Sequence, residues 1–222
     1  MKAIITCGPG CEPIDQVRFI SNFSTGELGS LLASELQQHG FEVTCLRSRL
    51  ATYPMPERIG HLEVISFSTN DELAKIFQHL SVEKKVTAIF HAAALCDYRV
   101  EKITGADRDA LYLGKIPTSM GRLNLTLEPS LKVISKLRGW FPHARLVGWK
   151  YEVSGTHEEA CIKAQQQIQK YQLDASIANG PATRGDFDVI CSDASHHLLS
   201  SKKELARFLV TWLQDIPMTN DF

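Results

Sequence analysis

From Val86 to Ala94 the chain reads VTAIFHAAA, an unbroken run of small, β-branched and aromatic residues interrupted only by His91. Such a run is too short to cross a membrane as a helix, and it lacks the polar alternation of a strand with one wet face. It fits a strand buried on both sides, the situation of a parallel sheet covered by helices above and below. Parallel neighbours cannot be joined by tight turns and need long crossovers, usually helical. The rest of the chain supplies them. AIITC (3–7), FEVTCLR (41–47), LEVISF, ARLVGWKYE (144–152) and DASIAN (174–179) read as further strands. Between them, TGELGSLLASELQQHG places Leu28, Leu31, Leu32 and Leu36 at helical spacing and meets Gly40 as a C-cap.

More helices are expected near 70–80, 156–171 and 202–214. FDVICSDASHHLLSS fits a hairpin turning at Asp193-Ala194-Ser195. RLNLTLEP (122–129) alternates as a half-exposed strand does. Residues 99–121, with Gly105, Gly114, Pro117 and Gly121, read as irregular. The expected fold is α/β: one domain over 1–222, a doubly wound three-layer sheet, mostly parallel, with an antiparallel edge hairpin.

Composition narrows the function classes. Hydrophobic residues are 44% and charged residues 22% of the 222, and the formal net charge is -1. No global field draws in nucleic acid or an anionic membrane, so neither is an expected partner and any anion site must be local. Met1 leads directly into the first strand and no apolar run is long enough for a membrane helix, which makes the cytoplasm the expected location. Cys7, Cys11, Cys45, Cys96, Cys161 and Cys191 form no Cys-x-x-Cys pair and read as buried free thiols. His196-His197 has no second cluster at ligand spacing, and no structural metal is expected there.

Two small-residue turns lie close together near the start. The first strand opens into CGPGCEP, where Gly8 and Gly10 allow close backbone approach to a ligand. Ligands of open α/β sheets sit beyond the carboxyl ends of strands, although a simple tight turn explains the glycines as well. Ser24-Thr25-Gly26-Glu27 resembles a capping box and would place free amides and a positive dipole end at the same crevice. Glu27 at that end counts against an anion. Arg18 can pair with a phosphate or carboxylate, or bond a loop carbonyl. Asn22 offers a donor and an acceptor to a reacting carbonyl, or caps a turn. In HAAALCDYR (91–99), Asp97 can hold Mg²⁺ on a triphosphate or cap a turn. In VGWKYE (147–152), Gly148 repeats the small-residue pattern, and Lys150 either neutralises phosphate or is solvated. Asn179-Gly180 is most simply a turn.

Taken together, GPGCEPIDQVRFISNFSTGELG, AAALCDYR, GKIPT followed by LTLEPSLKVI, VGWKYE and LDASIAN resemble the phosphopantothenate–cysteine ligase family. Its synthetase domain is also found fused to a flavin decarboxylase. The specific block is EP-x-D-x-VR-x-I-x-N-x-S-x-G, filled by Glu12, Pro13, Asp15, Val17, Arg18, Ile20, Asn22, Ser24 and Gly26. The resemblance implies a Rossmann-like fold, usually a homodimer, in a stand-alone form without flavin. It implies a two-step reaction in which the carboxylate of 4'-phosphopantothenate attacks the α-phosphate of CTP or ATP, with Mg²⁺, and cysteine then displaces the nucleotide. By this resemblance Asn22 stabilises the acyl centre, and Gly8, Gly10, Ser24, Thr25 and Gly26 cradle phosphates. Ala93, Ala94 and Asp97 line the nucleotide site, and Lys115 meets phosphate from a strap.

Two departures stand out. Gln167 occupies a position where many bacterial members carry a catalytic lysine, and Ala178-Asn179-Gly180 replaces an Ala-Asn-Asp triplet. Lys150 is the expected source of the missing charge, and the nucleotide preference stays open between CTP and ATP. The alternative is an impaired paralogue that binds nucleotide or phosphopantothenate without turnover. A Rossmann-type oxidoreductase is disfavoured, because neither G-x-G-x-x-G nor Tyr-x-x-x-Lys is found in the required context.

Overall fold

A computed structural model describes residues 1–82, 85–105 and 114–215. In chain order the strands are β1 (Lys2–Cys7), β2 (Cys11–Pro13), β3 (Phe19–Ser21), β4 (Glu42–Ser48), β5 (Leu62–Phe67), β6 (Val86–His91), β7 (Tyr98–Thr104), β8 (Asn124–Pro129), β9 (Arg145–Tyr151), β10 (Ala175–Asn179), β11 (Phe187–Cys191) and β12 (His196–Leu199). The helices are α1 (Glu27–Gln38), α2 (Asn70–Leu80), α3 (Ile134–Trp140), α4 (His157–Tyr171) and α5 (Lys202–Asp215).

An eight-stranded sheet runs β12-β11-β10-β9-β6-β1-β4-β5. Every pairing from β5 across to β10 is parallel, and β10–β11 and β11–β12 are antiparallel. The expected α/β sheet with an antiparallel edge hairpin is what forms. Period-two alternation of the strands divides the core into two layers. Ile5, Val43, Phe90, Val147 and Val189 face α1 and α5, where Leu32, Leu36, Leu205 and Leu209 meet them. Ile4, Leu46, Ile89, Leu146 and Ile190 face α2, α3 and α4, where Phe77, Leu137 and Ile168 close the other layer.

The chain leaves β1 for β4 and β5 on one side, then returns to β6 on the other. The order therefore reverses between β1 and β6, the topological switch point where doubly wound sheets open a crevice. No described helix is long and apolar enough to cross a membrane.

Two local readings are corrected and one helix is added. Residues 98–104 are not irregular: β7 pairs antiparallel with β8 in a two-stranded arm outside the main sheet. The arm forms because its partner is found across a connection that includes residues 106–113, outside the described residues. Seven residues, ISKLRGW, form α3, a segment too short to show helical periodicity in sequence. The Ser24 capping box does not form. Gly26, at φ 81°, is the N-cap of α1, with no side-chain cap bond. Its left-handed backbone replaces the extended conformation that a Ser or Thr cap requires.

Candidate active site

The cavity opens at the carboxyl ends of β1, β6, β9 and β10, over the switch point, and has a volume of about 790 Å³. Its floor is a backbone seam. The Gly10 amide donates to the Ala94 carbonyl at 3.0 Å, and the Ala94 amide donates to the Gly8 carbonyl at 3.0 Å. The turn after β1 and the small-residue turn after β6 are thereby zipped together. Gly8 has φ 86°, and a Cβ there would lie 2.7 Å from Ala51 Cβ. Gly26 has the same left-handed backbone, and its Cβ would stand 3.1 Å from the same methyl. The two turns must be bare because they are pressed onto one residue. Gly29 lets α1 approach β1 equally closely, since its Cβ would lie 2.2 Å from Cys7 Cβ.

Of the residues singled out in sequence, Gly8, Asn22, Ser24, Thr25, Gly26, Ala93, Ala94, Asp97 and Lys150 line this cavity. Gly10, Arg18, Lys115 and Gly148 do not. Gly10 is spent on the seam. Gly148 is a packing residue: a Cβ would meet Leu173 Cδ1 at 2.8 Å and Gln167 Oε1 at 2.9 Å. Arg18 donates to the Ile116 carbonyl at 2.6 Å and pairs with Asp15 at 3.3 Å, the loop-carbonyl alternative of the sequence reading. Asp15 in turn accepts the Val17, Arg18 and Ile116 amides at 2.8, 2.8 and 3.1 Å. Burial works to raise the Asp15 pKa. The amides of Ile116, Val17 and Arg18 and the guanidinium outweigh it and hold the carboxyl below its ordinary range. The D-x-x-R part of the specific block is thus a clasp that ties the β2–β3 hairpin to the segment carrying Lys115, which is itself exposed.

Asn22 is exposed at the cavity wall. Its Nδ2 donates to the Leu95 carbonyl at 2.8 Å and lies 3.5 Å from the Ala94 carbonyl. The short contact fixes the amide, and the long one is at the limit where a better acceptor displaces it. Lys150 Nζ sits 2.8 Å from Glu152, a carboxylate shared with Lys163. Gln167 also lines the cavity, tethered by Ser176 Oγ at 2.7 Å and by its own bond to the Trp149 carbonyl at 3.3 Å.

The fold adds groups that linear reading missed. Lys132 pairs with Asp97 at 2.7 Å, and Lys202 from α5 pairs with Glu27; all four line the cavity. Lys202 bridges 175 residues to its partner, a separation that leaves no local signal. His91 ends β6, and its pKa is pushed down to about 4 by burial and, secondarily, by the Lys132 charge. The Thr6 hydroxyl accepts from the Ala93 amide at 3.1 Å and shares a hydrogen bond with His91 Nδ1 at 2.9 Å. Asn70 Oδ1, Trp149 Nε1 and Asn179 Oδ1 are buried without a hydrogen-bond partner among the described residues, and all three residues line the cavity. Unpaired buried polar atoms each cost about 1–3 kcal/mol. Their convergence on one cavity is the mark of a site that completes its bonds with a ligand.

Comparison with known proteins identifies the family and the fold. Residues 1–216 match the model of the DNA/pantothenate metabolism flavoprotein C-terminal domain. The chain is 30% identical over 178 residues to the coenzyme A biosynthesis bifunctional protein CoaBC of Thermococcus kodakarensis, covering 80% of this chain and 41% of that protein. It spans about half or less of the length of the curated relatives it matches. The structure superposes on the DNA/pantothenate metabolism flavoprotein from Streptococcus pneumoniae with a TM-score of 0.84 at 27% identity, covering 96% of this chain and 98% of that one. The solved structure of a Cab2 mutant in complex with phosphopantothenate-cysteine shares the fold, with a TM-score of 0.74 at 18% identity, 96% of this chain and 85% of that one.

Proposed function

Because the chain belongs to the DNA/pantothenate metabolism flavoprotein C-terminal domain family, we propose that it is an amide-forming ligase of coenzyme A biosynthesis. It joins 4'-phosphopantothenate to cysteine at the expense of CTP or ATP. The carrying observation is the cavity at the β1–β6 switch point, with bare turns on one wall and Lys132, Lys150 and Lys202 around it. At about 790 Å³ it lies within the roughly 300–1,000 Å³ of ordinary small-molecule sites.

In the first step a carboxylate oxygen of phosphopantothenate bonds to the α-phosphorus and pyrophosphate leaves. In the second, the cysteine amine bonds to the acyl carbon, the C–O bond to the nucleotide breaks, and the nucleoside monophosphate departs. The amine proton passes to solvent. Gly8, Ser24, Thr25 and Gly26 offer backbone approach to phosphate, and the three lysines offset its charge. Asn22, its amide fixed by the Leu95 carbonyl, offers its second N–H to the acyl oxygen, where negative charge develops. Lys150 supplies the charge that Gln167 lacks.

Mg²⁺ fits the residues present. Asp97 and Glu27 are the acids on the wall, each already paired with a lysine, and one carboxylate with phosphate oxygens is an ordinary Mg²⁺ set. Asp97 would hold the ion, which neutralises phosphate charge when bound. We place the enzyme in the cytoplasm as a homodimer.

The second reading, a binder without turnover, is favoured by Gln167, whose amide is tied to Ser176 and the Trp149 carbonyl. Incubation with 4'-phosphopantothenate, Mg²⁺, cysteine and either CTP or ATP separates the two. The ligase releases pyrophosphate and forms the coupled product with one of the nucleotides. Folded protein that binds nucleotide but forms neither product is the binder.

A further inference from the structure

Away from the cavity, three potential metal ligands converge on a fourth, a buried carboxylate. Asp188 on β11 is 7% exposed. Its Oδ2 lies 3.0 Å from His157 Nε2 and 3.2 Å from Cys161 Sγ. Its Oδ1, buried and without a hydrogen-bond partner among the described residues, has His196 Nδ1 at 3.5 Å, beyond good hydrogen-bond geometry. One ligand atom each from His157, Cys161 and Asp188 can be chosen so that all lie within 4.8 Å of one another. None of these residues lines the ligand cavity.

The arrangement follows from the fold. His157 and Cys161 are four apart on α4 and so share a helix face. Asp188 alternates with Phe187 along β11. Phe187 packs into the layer beneath α1 and α5, so Asp188 faces α4. The hairpin pairs β11 with β12 and brings His196 beside Ile190, on the same side of the strand as Asp188. Only His157 and Cys161 are linked by a spacing; Asp188 and His196 come from the hairpin, which is why His196 alone carried no metal signal.

We propose that His157, Cys161, Asp188 and His196 form a zinc site that staples α4 to the edge hairpin. Zinc takes imidazole nitrogen, thiolate sulfur and carboxylate oxygen in one tetrahedral set, with bonds of about 2.0–2.3 Å. Ligand atoms in such a set stand roughly 3.3–3.7 Å apart; His157 and Cys161 stand 3.0 and 3.2 Å from Asp188 Oδ2, and His196, 3.5 Å from Oδ1 on the edge hairpin, turns in to complete the set. The thiol excludes Mg²⁺ and Ca²⁺, which select oxygen. One thiolate and one carboxylate balance the charge of Zn²⁺, and the Cys161 proton is released to solvent on binding. The orphaned Asp188 Oδ1 gains a second metal contact.

The test uses the whole chain, freed of metal by chelator dialysis and titrated with Co²⁺ alone. The expected result is a thiolate-to-cobalt charge-transfer band saturating at one ion per chain, with visible bands of tetrahedral intensity. Zn²⁺ should displace the cobalt and raise the thermal midpoint. Cys161→Ser should abolish the charge-transfer band, and His157→Gln should weaken Zn²⁺ by at least the roughly 10–100-fold that even an outer-shell partner is worth. Cys161 is half-buried, so serine is tolerated there even if Asp188→Asn fails to fold. Absence of the band, or a band of equal strength in Cys161→Ser, overturns the assignment. Neither readout depends on ligase activity.

Discussion

Asn22 and Lys150 are where the chemistry should be most sensitive to single atoms. Removing a donor aimed at a developing oxyanion costs about 100- to 1,000-fold in kcat, and Asn22→Ala is expected to fall in that range in a pyrophosphate-release assay, with the fold intact. Lys150→Ala should lower turnover by at least about tenfold; turnover within about threefold of the parent would remove its role as the substitute for the missing lysine. His91 gives a pH prediction. Its folded pKa of about 4 lies below its ordinary 6.5, so the unfolded chain takes up the proton first. Stability is complete above about pH 6.5 and falls as the pH drops towards 4, by about 3 kcal/mol at 1.36 kcal/mol per pKa unit. His91→Gln should flatten that part of a plot of thermal midpoint against pH. At this scale the sequence was partly legible. Asn22 and Lys150 stood in recognisable blocks and do reach the cavity. Arg18 stood in the same block and does not, because residue type cannot distinguish a phosphate partner from the Ile116 carbonyl 98 positions away.

At the scale of elements, the site depends on how tightly α1 sits against β1. A Cβ on Gly29 would lie 2.2 Å from Cys7 Cβ, backbone-mounted atoms that cannot swing aside. Gly29→Ala should therefore cost about 1–3 kcal/mol of stability by overpacking and weaken nucleotide binding as the Gly26 turn is pushed off Gly8. Calorimetric unfolding and a nucleotide titration measure the two effects separately. The strands of the main sheet were readable because burial on both faces selects continuous apolar runs. The arm was only half readable. β8 alternates, but β7 reads YRVEKIT, with charges that make sense only once Arg99 is seen bonded to Glu128 at 2.7 Å across the pair. A strand held by a partner outside the main sheet leaves little mark on its own segment.

At the scale of the whole molecule, the order reversal between β1 and β6 decides where the cavity opens; the pattern of apolar runs was enough to anticipate a doubly wound sheet, but not the strand order that places the reversal. Assembly was not legible in the same way, since it concerns surfaces. Phe23 is fully exposed, and Tyr98, Leu125 and Leu127 of the arm are substantially so. For the proposed homodimer, sedimentation equilibrium should return twice the chain mass, and Leu125→Glu with Leu127→Glu should return the monomer. The central claim, that an acyl-nucleotide is made and consumed in this cavity, is tested most directly by isotope tracing. 4'-Phosphopantothenate labelled with ¹⁸O in its carboxylate is turned over with cysteine, Mg²⁺ and CTP or ATP. The account predicts that one labelled oxygen appears in the nucleoside monophosphate, matched by pyrophosphate and the cysteine amide. Label in inorganic phosphate, or amide formed without labelled monophosphate, would contradict it.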